Sequence, residues 1–190
     1  MSPTAALPHE KIQALSHSLV SAGIPHAFGG AIALLYCGEP RGTVDIDVNV
    51  FVHEREAASV LELLRPLGVA IDEQGALSSI ARDGQVRLDW AGTPLDLFFA
   101  YDALHDACRE RARHADFLGT TISVLSAEDL VVFKVLFDRR KDWADIEQIL
   151  HSRGARFDAA YVRAWLARIV GGTDPRASAF EALALETRAG

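Results

Sequence analysis

The sequence predicts a mixed α/β (α+β) protein, with strands and helices interleaved over the first two thirds and helices alone over the last third. Three observations carry this. Residues 44–52, VDIDVNVFV, alternate apolar and polar, the period of a strand. Residues 85–90 and 93–100, QVRLDW and TPLDLFFA, alternate as well and are separated only by Ala-Gly, the pattern of a β-hairpin. From Ser126 onward the apolar spacing is helical, in segments at 126–140, 141–152, 157–170 and 175–188.

The elements follow in order. In residues 8–22, Ile12, Leu15, Leu19 and Val20 share a helical face, with Pro8 suited to the first turn and Gly23 to the stop. IPHAF is short and extended, and leads into Gly29-Gly30. Residues 31–37 read as a short apolar helix ended by GEPRG. In the strand at 44–52, Val44, Ile46, Val48 and Val50 point one way and Asp45, Asp47 and Asn49 the other. Residues 54–68 read as an amphipathic helix, 72–83 as a short helix and a turn, Asp102 to about Arg113 as a helix, and 115–125 as an extended pair around Gly119. Ser126, with Asp129 three residues on, is an acidic variant of the capping box that opens the next helix. A seam is expected near residue 125. It divides a core at 1–125 from a helical part at 126–190 that packs on it, or the two form one domain.

Composition bounds the function. The chain has 190 residues, 49% hydrophobic and 24% charged, the balance of an ordinary globular domain. No apolar stretch reaches the roughly 20 residues of a membrane span. The opening MSPTAALPHEK lacks a basic region followed by an apolar one, so no secretory signal is expected. Two cysteines, Cys37 and Cys108, make no disulfide framework, and a reducing cytoplasm fits. A net charge of −7 argues against a broad grip on nucleic acid. RERAR at 109–113 and DRRKD at 138–142 are the two local basic patches, and both also fit solvated helix faces. The seven histidines show no metal-ligand spacing, and neither G-x-S-x-G nor a P-loop is present.

The chemistry concentrates between Phe28 and Val52. Asp45 and Asp47, two apart on a strand, leave from the same face, and two ionised carboxylates so close repel each other. A hard divalent cation such as magnesium relieves that repulsion, since it takes oxygen ligands and commonly binds one or two carboxylates plus substrate phosphates. An edge strand with both aspartates in water is the alternative. The upstream Gly29-Gly30 stands at a strand-to-helix junction, where a backbone can approach a ligand and free N–H groups can meet a phosphate. Arg41 and Thr43 immediately precede the aspartates, and an arginine there can clamp an oxyanion.

Phe28-Gly29-Gly30, a fourteen-residue spacer and Asp45-Ile46-Asp47-Val48, with the intervening PRGTVDID, resemble the signature of the polymerase-β-type nucleotidyltransferases. Small bacterial members related to the abortive-infection nucleotidyltransferase toxins are the nearest resemblance. The resemblance implies a polymerase-β-like core, with a mixed, mostly antiparallel sheet flanked by helices and a helical segment after it. It also implies a third carboxylate from a later strand between apolar residues. Asp96 in PLDLFF is preferred and Asp89 in VRLDW is the rival. SAEDLVVFKVLFDRRKDWADI resembles the helical motif of the same group, which implies Lys134 toward the triphosphate and Asp142 near the nucleotide, with Asp145 a turn away. The resemblance covers roughly residues 10–152.

What it implies is a cytoplasmic enzyme using a nucleoside triphosphate and two magnesium ions. Asp45, Asp47 and Asp96 would be metal-holding and catalytic. Gly29, Gly30, Arg41, Thr43, Lys134 and Asp142 would bind the nucleotide. The expected acceptor is a hydroxyl on tRNA or on a partner protein, as in a toxin–antitoxin pair. An antibiotic of the aminoglycoside or lincosamide type is the alternative acceptor. An inactive fold serving as a binding module or antitoxin is the third reading.

Overall fold

A computed structural model describes residues 6–189. The first five residues of the stretch read for a secretory signal lie outside the described residues. The chain falls into two compact units. The first comprises the described residues through Ile32 together with Gly42–Val124; the second is Ala33–Arg41 together with the chain from Leu125.

The first unit holds a six-stranded sheet. Its strands are β1 (His26–Phe28), β2 (Ile46–His53), β3 (Gln85–Trp90), β4 (Thr93–Ala100), β5 (Arg113–Phe117) and β6 (Thr120–Val124), in the spatial order β3-β4-β2-β1-β6-β5. β1–β2, β3–β4 and β5–β6 pair antiparallel, while β2–β4 and β1–β6 pair parallel, so the sheet is mixed and mostly antiparallel as expected. Helices α1 (Pro8–Ser21), α3 (Ala57–Leu64), α4 (Glu73–Asp83) and α5 (Ala103–Arg111) pack on the sheet and on one another. A short helix α2 (Gly30–Leu34) follows β1. Both hairpins turn on two residues with positive φ, Ala91-Gly92 (46° and 78°) and Leu118-Gly119 (52° and 81°), which matches the twist of the flanking strands.

Several elements differ from the sequence reading. The alternation puts Val44 on the apolar face of the strand, but β2 begins only at Ile46 and Val44 is 71% exposed. Thr43 Oγ1 accepts from the Asp45 backbone N–H at 3.1 Å, closing a local turn that delays the strand. Nor is the opposite face of β2 simply polar: Asn49 and Phe51 are buried. β2 lies inside the sheet, between β4 and β1, which rules out the edge-strand alternative for Asp47; Asp45 immediately precedes the strand. The helix expected over 54–68 is α3 flanked by 3₁₀ turns at Glu54–Glu56 and Arg65–Leu67, the second containing Pro66. The stretch 72–83, expected as a short helix and a turn, is mostly one helix, α4, stopped by left-handed Gly84.

Lys11 on α1 fastens the β3–β4 hairpin. Its side chain is buried, and the ammonium donates to the Trp90 carbonyl at 2.6 Å and to Thr93 Oγ1 at 2.8 Å, 5.7 Å from the centre of the Trp90 ring. Lys11→Met keeps the stem but strips these acceptors of their donor. It is expected to lower stability by about 2 kcal/mol, read as a reduced urea midpoint at unchanged slope.

His26 in β1 is buried, with its ring edge-on to Phe28. Nδ1–H donates to the Ile24 carbonyl at 3.0 Å, which leaves Nε2 as the acceptor nitrogen, buried and without a partner among the described residues. Burial lowers its pKa below the ordinary 6.5, and the bond to Ile24 only partly offsets this. The fold therefore favours neutral His26. Its contribution is complete above about pH 6.5 and is lost as pH falls toward the depressed folded value. The urea midpoint should drop between about pH 7.5 and about pH 5.5, and His26→Phe should flatten that slope. The carboxyls held low, among them Asp83 and Asp174, titrate below this window.

The second unit contains α6 (Ala127–Phe137), α7 (Arg140–Arg153), α8 (Ala159–Ile169) and α9 (Pro175–Ala189). Ser126 caps α6, accepting from the Asp129 N–H at 3.2 Å and donating to Asp129 Oδ2 at 2.6 Å, while the Tyr161 hydroxyl donates to Asp129 Oδ1 at 2.6 Å. α6 is buried on nearly every side, including Glu128, Asp129 and Lys134. None of the helices among the described residues is long and apolar enough to cross a membrane.

Candidate active site

The register of the sheet assembles the acidic residues of the first unit. Asp47 on β2 is the partner of Asp96 on the parallel neighbour β4. Asp96 is in turn the partner of Arg87 on antiparallel β3. On the other side of β2 the Gly29 N–H donates to the Asp47 carbonyl at 2.9 Å. Residues paired across strands point to the same face, so Arg87, Asp96 and Asp47 form one row across three strands, with Gly29 at its end. Asp45, two residues before Asp47, reaches the same row.

Arg87 ties the row together. Its Nε and Nη2 donate to the two oxygens of Asp96 at 2.8 and 2.6 Å, and Nη2 also reaches Asp45 Oδ2 at 3.4 Å. Its pKa is raised further above the ordinary arginine range, first by the hydrogen bond to Asp96, which outweighs the opposing effect of burial, and then by the charges of Asp96, Asp45 and Asp47. All three carboxylates thus act on one guanidinium. Sequence reasoning missed Arg87, although a signal was present: counting outward from the two-residue turn at Ala91-Gly92 places it opposite Asp96.

Gly30 has a reason to be glycine that involves no ligand. Its φ is +49°, and a Cβ built there would overlap Asp47 Oδ2 and lie 2.6 Å from Asp47 Cγ. The Asp47 carboxylate therefore rests against the bare Cα of Gly30. Thr43 forms the turn that precedes β2, as described above. Asp89, the rival third carboxylate, stands at the hairpin end opposite Pro94, where its Oδ2 accepts from the Gly92 N–H at 3.3 Å. It is not the strand partner of Asp47 or of Asp96.

The remaining predicted residues belong to the second unit and share one ionic network. Lys134 donates to Asp145 Oδ2 at 2.5 Å and to Asp142 Oδ1 at 3.4 Å. Arg41 makes a two-pronged contact with Asp145, Nε to Oδ1 at 2.9 Å and Nη2 to Oδ2 at 3.0 Å. Arg139 Nε donates to Asp142 Oδ2 at 2.6 Å. Burial alone would raise the Asp145 pKa, but the hydrogen bonds and charges of Arg41 and Lys134 overcome it and hold the carboxyl below its usual range.

The structure closely matches solved nucleotidyltransferases. The antibiotic-resistance factor ANT(2'')-Ia in solution superposes with a TM-score of 0.62 at 16% identity, covering 96% of this chain and 97% of that one. Its crystal structure in complex with adenylyl-2''-tobramycin gives 0.61 at 16% identity, covering 92% and 97%. The chain has the nucleotidyltransferase fold. The lincosamide antibiotic adenylyltransferase LnuA, bound to lincomycin, gives 0.52 at 13% identity, with 77% of this chain and 98% of that one covered. No protein-family model matches the sequence, and no curated protein does. At these identities the nucleotidyltransferase fold is the shared property. It agrees with the polymerase-β-like core expected from the Gly29-Gly30 and Asp45-x-Asp47 pattern.

Whether the first unit suits a magnesium ion is a matter of donor chemistry. Asp45, Asp47 and Asp96 offer only hard carboxylate oxygens, and all three already act on a single positive group, Arg87. In their present orientations, no three Asp, Glu, His or Cys side chains among the described residues are drawn together as a metal cage. The donors fit the ion, and Arg87 stands in as the cation.

Proposed function

We propose that the chain is a magnesium-dependent nucleotidyltransferase that moves a nucleoside monophosphate from a nucleoside triphosphate to an acceptor hydroxyl. The observation that carries this reading is the register pairing of Asp47 with Asp96, with Asp45 reaching the same cation.

Asp45, Asp47 and Asp96 would hold the magnesium, two ions in the full reading. Bound there, magnesium supplies charge stabilisation to the anionic phosphorus centre and to the departing pyrophosphate. Asp96 also accepts the acceptor's proton. The hydroxyl oxygen then bonds to the α-phosphorus, the bond from that phosphorus to the α–β bridging oxygen breaks, and pyrophosphate leaves with the electron pair. Gly30 would offer its backbone N–H to phosphate; Gly29, whose own N–H is held by the Asp47 carbonyl, would set the turn that presents it, with Thr43 nearby in sequence. We assign Arg41, Lys134 and Asp142 to nucleotide binding on the same reading.

For the acceptor we propose a small, cationic, hydroxyl-bearing molecule of the aminoglycoside type. Two features support it: the chain's net charge of −7, and its likeness to an enzyme solved with adenylyl-2''-tobramycin. The test incubates purified protein with magnesium and each α-labelled triphosphate, in separate arms holding an aminoglycoside panel, tRNA or cell extract. Label on an aminoglycoside is the expected result. Label on tRNA or on a protein would replace this acceptor with the toxin-like one. No label in any arm, together with no binding of magnesium–triphosphate, would leave the inactive binding module.

A further inference from the structure

Arg87 is absent from every role assigned above, yet it makes the most extensive contacts in the acidic row. Its fork engages both oxygens of Asp96, at 2.8 and 2.6 Å, and its Nη2 extends to Asp45. A guanidinium keeps its charge at any working pH, so this cation cannot leave by losing a proton. It leaves only by swinging away. The arginine side chain is 61% exposed, and it stands on β3, an edge strand, so water is available to receive it. Asp96 and Asp45 are less exposed, at 16% and 28%; Asp96 stands on β4 inside the sheet and Asp45 immediately precedes β2.

We propose that Arg87 is the resident counter-cation of the acidic row, competing with the divalent metal for Asp96 and Asp45 and so setting the metal concentration the site requires. The inference rests on the nucleotidyltransferase reading. The fork occupies the oxygens that a metal would need, and its positive charge repels an incoming ion. Without a metal, the same fork relieves the mutual repulsion of the three aspartates and keeps the row in order. Arg87 is a positioning residue here, acting through Asp96.

The experiment measures Mn²⁺ binding to the nucleotide-free protein, following free Mn²⁺ by electron paramagnetic resonance, in wild type, Arg87→Met, Arg87→Lys and Asp47→Asn. Arg87→Met should tighten Mn²⁺ binding by about tenfold or more, because a unit charge within contact distance is removed from a partly solvent-screened site. Arg87→Lys keeps the charge but loses the fork, and should fall between the two. Asp47→Asn should bind far more weakly than wild type, which places the ion at the acidic row. Binding that depends on Asp47 but is equal in wild type and Arg87→Met overturns the role of Arg87 and leaves the functional reading standing. Weaker binding in Arg87→Met also overturns it, since the arginine would then be preparing the site for metal. If no variant shows Asp47-dependent binding, this inference fails, and the functional reading is decided separately by the labelled-triphosphate assay, where the substrate phosphates complete the ion's ligands.

Discussion

Asp47→Ala is expected to reduce nucleotidyl transfer by at least roughly a thousandfold, about 4 kcal/mol of transition-state stabilisation, while circular dichroism and the urea midpoint stay near wild type. The size follows from position. Asp47 is the middle member of the acidic row, with Asp96 beside it on β4 and the Gly30 Cα against its carboxylate. On the proposed reading, removing it would take away a metal-holding oxygen pair that no neighbour can replace, since Asp89 lies at the turn end of the hairpin. The fold should tolerate the change. The β2 backbone pairing is independent of the side chain, and loss of one of three like charges eases repulsion. The decisive measurement is transfer of label from an α-labelled triphosphate by the purified variant. Activity within tenfold of wild type would remove the aspartates from the chemistry.

Gly30→Ala is the second large effect, and it couples backbone to function. Two penalties coincide. A residue with a Cβ is strained at φ +49°, and the added methyl overlaps the Asp47 carboxylate. Relief requires Asp47 to rotate or α2 to shift, so stability should fall by roughly 2–4 kcal/mol. Transfer should fall at least about a hundredfold even in the folded fraction, because a displaced carboxylate no longer meets its ligand in the productive geometry. Gly42→Ala is the control: a Cβ there meets nothing within 4 Å, and its stability should stay within about 0.5 kcal/mol of wild type. Equal stabilities for the two alanine variants would show that the close approach of Asp47 to Gly30 is not enforced.

Much of this site could be read from residue order because sheets have a short period. The alternation in Asp45-Ile46-Asp47-Val48 and in Pro94-Leu95-Asp96-Leu97 by itself assigns three carboxylates to polar faces. What the alternation could not show was where pairing stops, and Val44 fell off the strand because Thr43 forms a local turn first. The partnership of Asp47 with Asp96 was beyond local pattern as well. It depends on a parallel crossover that passes through α3, α4 and β3. Lys134 illustrates a different limit. Its helix has no amphipathic stripe, which marks burial all round but says nothing about which carboxylates meet the ammonium. Asp142 and Asp145 meet it through the packing of α6 against α7.

Neighbouring strands in any sheet stand about 4.8 Å apart, a spacing dictated by backbone hydrogen bonds and indifferent to loop sequence. The gap between the Asp47 and Asp96 backbones is therefore ruled by the ladder itself. Insertions and substitutions in the surrounding loops could reshape what docks beside the acids while that ruler stays unchanged, which leaves acceptor choice open to change and the carboxylate separation closed to it.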